Sequence, residues 1–443
     1  MVLTATELEG CSPAADWSRW IAAGRAPDSG RGTAAVPFAR SWAEDLEQLA
    51  ALGADAVVLT LEWAELEPRP GVHSPEAVEF RRDVLRGATA AGMRVWGCLV
   101  DRTLPGWFAE DEGGFEDDRG RGLLWPRHVD WIGETFGDLV DGWIPQREPL
   151  LQALRRFWLG TAPPGRHDAT RAAKAVRDAV LVDGEAWRLL RGTAPVATHQ
   201  TACLVQADGD DPLTRPQAAA IERLLRHSWI GALTEGRLQA GDLPEREVDH
   251  LRDAFDRVVV QVRPPIGVDG RRKRTRRRGA PPPGSTGRVA SPEALAEALH
   301  RVTDELEGRE IVAAADLADV ADDGRPGAPS TARSDHEQFL LALVDDQDLA
   351  GFWQSSPIDG YHFEHGFALH PGLLTADRSE TAAAAKFQEV AGASSRPSGH
   401  DPAPDEHRPG AAGPTRRPGF PPPATTSPIL DPVLHNRSPR EPT

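Results

Sequence analysis

Trp143-Ile144-Pro145-Gln146-Arg147-Glu148-Pro149 reads as the end of a β-strand that carries a carboxylic acid at its tip. A Leu-Gly-x-x-x-Pro-Gly turn follows at Leu159, Gly160, Pro164 and Gly165. Working outward, runs of strand character recur at Ala54–Leu61, Arg94–Val100, Ala194–Leu204, Arg257–Val262, Glu310–Ala315 and Leu349–Gln354, with a short first strand from Val2 to Thr6. Helical stretches separate them: Ser41–Leu52, Ser74–Ala91, Ala169–Leu190, Pro216–Glu235, Pro292–Leu306 and Arg333–Val344. Leu46, Leu49 and Ala50 show the i, i+3, i+4 spacing of a buried helix face. Eight β/α pairs in strict alternation predict an α/β chain folded as a (β/α)8 TIM barrel. In that fold the chemistry sits at the C-terminal ends of the strands. Glu148 and the other strand-end residues are therefore the candidates.

Composition bounds the partners. The chain has 443 residues, 40% of them apolar, enough for a sizeable core. A net charge of −17 argues against nucleic acid as the main partner. The three cysteines, Cys11, Cys98 and Cys203, are scattered without metal-type spacing, which suits a reducing compartment. The first residues form no signal peptide, and no run of about 18 apolar residues spans a membrane. These features predict a cytoplasmic protein. Residues 1–392 are expected to form the barrel. Residues 393–443 hold 13 prolines and few apolar residues, so they read as a disordered Pro-rich tail. The basic run Arg271 to Arg278, followed by Pro281-Pro282-Pro283, reads as a solvated surface loop.

The landmarks resemble those of the family 1 glycoside hydrolases, the β-glucosidase-like barrels, in family order from about Ala5 to about Val390. Glu44-Asp45-Leu46 with Leu52-Gly53 resembles the family's first long helix. Glu62-Trp63 with Pro68 resembles the segment after strand two, and Leu104-Pro105 the one after strand three. Asp359-Gly360-Tyr361-His362-Phe363 follows the family's Asp-Asn-Phe-Glu-Trp. The resemblance implies a barrel of carbohydrate metabolism without a cofactor or resident metal. It also implies that Glu148 is the acid/base of a β-glycosidase.

The working side chains differ from the family's. Arg147 replaces the Asn before the acid/base. Glu7 stands for the strand-one Gln, Val58 for the strand-two Arg, Asp101-Arg102 for the His-Trp pair and Gln261-Val262-Arg263 for Asn-Tyr-Tyr. Ser355 stands for a stacking Trp and His362 for a sugar-binding Glu. The strand-seven nucleophile position falls on Ala315. The nearest carboxylate is Asp316, which strand alternation would aim at the opposite face. Three arginines near Glu148 would keep it charged, whereas a general acid needs a raised pKa. The sequence thus leaves three readings. One is a non-hydrolytic barrel that binds a small sugar or anionic ligand at its mouth through Glu7, Asp101, Arg102, Arg147, Arg263, Ser355 and His362. The second is an active β-glycosidase using Glu148 with an altered nucleophile such as Asp316. The third is unrelated chemistry in the same mouth. Trp107 and Trp353, near strand ends, are candidate sugar platforms.

Overall fold

The computed structural model describes residues 1–28, 38–207, 212–268, 292–315, 349–363, 366–367 and 370–394. Eight parallel strands form the barrel: β1 (Val2–Leu3), β2 (Ala56–Thr60), β3 (Arg94–Val100), β4 (Gly142–Gln146), β5 (Ala197–Ala202), β6 (Arg257–Val262), β7 (Ile311–Ala315) and β8 (Gly351–Gln354). Neighbours in sequence are neighbours in space. The bridges Trp143–Val196 and Arg147–His199 join β4 to β5, and Val2–Ser355 joins β8 to β1, closing the ring. The predicted barrel is therefore present. Asp316, the helix read at Arg333–Val344, the basic run at Arg271 to Arg278 and residues 395–443 lie outside the described residues.

Strand alternation sorts the side chains into two layers. Val2, Val58, Trp96, Cys98, Ile144, Ala197, Val259, Val312, Ala314 and Trp353 pack together inside the ring. Val57, Leu59, Val95, Leu99, Val258, Val260, Ala313 and Ala315 belong to the larger core between strands and helices. Trp96 and Trp353 meet edge to face at 5.7 Å inside the barrel. Trp353 is thus interior filling. Trp107 is core as well: it packs against Trp63, and its Nε1 donates to the Glu67 carbonyl at 2.8 Å. Neither indole serves as a sugar platform.

The room for two indoles comes from small neighbours. A Cβ added to Gly142 would lie 2.5 Å from the Trp96 ring. Gly142→Ala is expected to destabilise the chain by about 1–3 kcal/mol through overpacking. Urea unfolding with an unchanged slope and a lower midpoint is the check.

Some elements differ from the sequence expectation. The first strand stops at Leu3, and Ala5–Leu8 form a helical turn, so Glu7 rides on that turn. The helix expected at Pro216–Glu235 runs in three pieces: Thr214–Glu222, a wide π turn at Arg223–His227, and Ser228–Thr234. Within it, the Ser228 hydroxyl donates to the Arg223 carbonyl, competing with the regular ladder. Elsewhere caps fix the ends as the sequence suggests. Ser74 accepts from the Ala77 amide at the start of Pro75–Ala90, and Asp168 from Thr170 and Arg171 at the start of Ala169–Leu190.

Candidate active site

Glu148 follows β4 with a left-handed backbone, φ 50° and ψ 47°. Its amide donates to the His199 carbonyl at 2.9 Å, and Pro149 then starts a short helix. The bend aims the carboxylate along the rim toward β5 and β6. Arg263, one residue past β6, grips it in a fork: Nε reaches Oε1 at 2.5 Å and Nη2 reaches Oε2 at 2.5 Å. The Thr201 hydroxyl on β5 donates to Oε1 at 2.7 Å. Glu148 is 1% exposed. Burial by itself pushes its pKa up. The Arg263 charge and hydrogen bonds, with Arg155 and Arg147 behind them, outweigh burial and hold it well below the usual carboxylate range.

The rest of the mouth is also cross-linked. Arg147 turns away from Glu148, donates to the Thr4 hydroxyl at 3.0 Å and faces Asp101 at 3.5 Å. Arg102 faces Glu7 at 3.5 Å, and the Ser356 hydroxyl donates to Glu7 at 3.1 Å. The Ser355 hydroxyl donates to Gln261 at 2.7 Å. His199 is fully buried, with no hydrogen-bond partner on either ring nitrogen. Burial, then Arg147, pushes its pKa down to about 3, so it is neutral. Burial pushes the Glu62 carboxyl up to about 8, with Glu65 adding to the rise, while Thr103 donates to it at 2.6 Å.

Alternation slips at the ends of β3 and β4. Cys98 and Ile144 face the barrel interior. Two residues later Val100 joins the outer core, and Gln146 donates to Ala179 and Asp183 on the surrounding helix. The slip brings Asp101 and Arg147 over the mouth. A cleft of about 110 Å³ opens beside it, lined by Asp101, Arg102, Gln146 and Arg147 among others; Glu148 is not in its wall.

The structure therefore brings Glu148 and Arg263 together, as it does Arg147 with Asp101, Arg102 with Glu7, and Ser355 with Gln261. His362 is buried and its backbone exchanges two hydrogen bonds with Gly366, while the amide of neighbouring Tyr361 donates to the Glu7 carbonyl at 2.9 Å. Among the described residues no group of His, Cys, Asp or Glu is arranged to hold a metal. One expectation is corrected. Ala315 does not face the cavity: it packs in the outer core, while Ala314 packs inside. Within β7 the inward face is that of Val312 and Ala314, so Ala315 lies on the opposite face. Thr201 was missed; its signal was the alternation of His199 and Thr201 at the end of β5.

The sequence profile of Glycosyl hydrolase family 1 matches residues 9–260, more than half of the chain. The chain belongs to glycosyl hydrolase family 1. The match stops inside β6, so β7 and β8 lie beyond it. Among curated relatives, Beta-glucosidase 4 of Oryza sativa is 25% identical over 53% of this chain and 52% of that protein. Beta-glucosidase A of Thermotoga maritima is 26% identical over 42% of this chain and 43% of that protein. The matched stretches thus span about half or less of those relatives. Solved family 1 structures extend over nearly the whole barrel. The β-glycosidase from Pyrococcus horikoshii superposes with TM-score 0.70 at 19% identity, covering 88% of this chain and 92% of that one. A β-glucosidase from Exiguobacterium marinum gives 0.72 at 18% identity, covering 89% and 97%. These likenesses show the family fold.

Proposed function

We propose that this family 1 barrel does not hydrolyse glycosides by the two-carboxylate route at neutral pH, and that its mouth binds a small sugar or anionic ligand. The fork between Arg263 and Glu148 carries the reading. An acid/base must hold a proton near working pH. Glu148 is held ionised, with both oxygens engaged. For the ligand, Glu7 Oε1, faced by Arg102 at 3.5 Å, and Gln261 Nε2 are buried without a hydrogen bond, an acceptor and a donor suited to a sugar hydroxyl. An anion would compete with Glu148 for Arg263. Three free cysteines support a cytoplasmic location, and no helix among the described residues is long and apolar enough to cross a membrane.

The test is release of phenol from aryl β-glycosides by the full chain. Wild type and Glu148→Gln are expected to give the same background rate. A wild-type rate more than about tenfold above the variant rejects the reading. One observation favours an active enzyme instead: on β7, Val312 and Ala314 rather than Ala315 face inward, so an alanine at position 315 does not by itself remove an inward carboxylate. Asp316 then stands in for the nucleophile, and Asp316→Asn abolishes whatever turnover wild type shows.

A further inference from the structure

The cleft beside the mouth lies between the end of β3, the loop at 109–116 and the helices Pro149–Leu154 and Ala169–Leu190. It exists because Val100 and Gln146 turn outward where alternation would turn them in. Ala153, Ala175 and Ala179 keep the helix side open, and Phe115 and Phe157 supply aromatic walls. Exposed Glu110 and Gly113 stand in its lining, so it reaches solvent.

Among the lining residues, Asp101 Oδ2, Arg147 Nε and Gln152 Nε2 are buried without a hydrogen-bond partner. Each such atom costs on the order of 1–3 kcal/mol. One is an acceptor and two are donors. A hydroxyl group satisfies both kinds, since it donates one hydrogen and accepts on its lone pairs. A carboxylate would meet Asp16, Asp101, Glu110 and Glu116, which outnumber Arg102, Arg147 and Arg156 in the same wall. A sugar, hydroxylated all round, would press most of its hydroxyls against alanine and phenylalanine, where they find no partner.

We infer that this cleft is a binding site for a small neutral ring bearing one or two hydroxyls, a phenol-like compound. Its hydroxyl engages Asp101, Arg147 and Gln152, and its ring lies against the aromatic and alanine walls. The inference goes beyond the reading of the mouth and holds whether or not Glu148 supports turnover, because Glu148 is not part of the site.

Calorimetric titration of the full chain tests it, with phenol and resorcinol against benzoate and glucose. The hydroxyarenes are expected to bind with Kd of about 1 mM or tighter, and any binding of benzoate or glucose is expected at the mouth, unchanged by substitutions in the cleft. Ala175→Phe fills the cleft from the helix side, and Gln152→Leu removes a donor at similar size. Each is expected to weaken phenol binding by about tenfold or more. Thermal melts confirm folding; should Ala175→Phe fail to fold, Gln152→Leu decides. The idea is overturned by no phenol binding at about 10 mM, by benzoate or glucose binding that the cleft variants weaken as much as they weaken phenol binding, or by phenol affinity that folded variants leave unchanged. The aryl-glycoside assay reads the mouth separately, so the two readings fail independently.

Discussion

Arg263→Met is expected to lower stability at pH 7 by about 3–5 kcal/mol, the cost of leaving one partner of a buried ion pair unpaired. Glu148 is 1% exposed and the Arg263 side chain 13%, so solvent screens the pair little. In wild type the depressed pKa of Glu148 gives stability that is present above the ordinary carboxylate range and is lost as pH falls through the folded value. Without Arg263, burial dominates and the pKa of Glu148 rises, with Arg155 and Arg147 still opposing. Its contribution then changes sign: the variant is more stable near pH 5 than at pH 7. Urea unfolding at the two pH values measures this. A loss below about 1 kcal/mol, or an equal loss at both pH values, would show that Arg263 does not set the state of Glu148. The same variant bears on catalysis, since a Glu148 that takes up a proton near neutrality regains the property of a general acid. Aryl-glycoside turnover in Arg263→Met but not in wild type would mean that the arginine blocks an otherwise complete site.

Glu62 produces the second large effect, with the opposite slope. Burial, then Glu65, lifts its pKa from 4.5 to about 8. The folded chain therefore holds a proton that the unfolded chain releases between those values. Stability is full below about pH 4.5 and declines until about pH 8, in total by roughly 4–5 kcal/mol at 1.4 kcal/mol per unit. Glu62→Gln keeps an oxygen to accept from Thr103 and removes the charge, so the part of the decline that runs on to about pH 8 disappears. Asp183, lifted to about 7 by burial against its bonds to Thr198 and Gln146, keeps a second decline of similar size that begins lower and ends near pH 7. Chemical unfolding of both proteins from pH 5 to 9 separates the two groups. Parallel curves for wild type and Glu62→Gln would place the buried proton elsewhere.

The barrel was legible from residue pattern because its determinants are local. Alternating apolar residues, a Pro after Glu148 and the caps Ser74 and Asp168 act over a few positions, and they set the strands and the helices Pro75–Ala90 and Ala169–Leu190 close to where the sequence predicts them. The strand-end residues were legible too, since each closes a recognisable run. What each one touches was not. Arg147 is next to Glu148 in the chain yet bonds to Thr4 and faces Asp101, while Arg263, 115 residues away, takes the carboxylate. Ala315 closes β7 on the outer face, beside Ala313 rather than with the inward Ala314.

Residue pattern alone was enough for the family 1 barrel and for the charged groups gathered at its rim. Only the tertiary structure decided the pairings among those groups, the side of β7 that faces inward, and the cleft opened by the slip at Val100 and Gln146. The reason is physical: a strand's polarity pattern is written in its own residues, but the direction of a side chain at a strand end depends on neighbouring strands, whose register is fixed by packing across the whole ring.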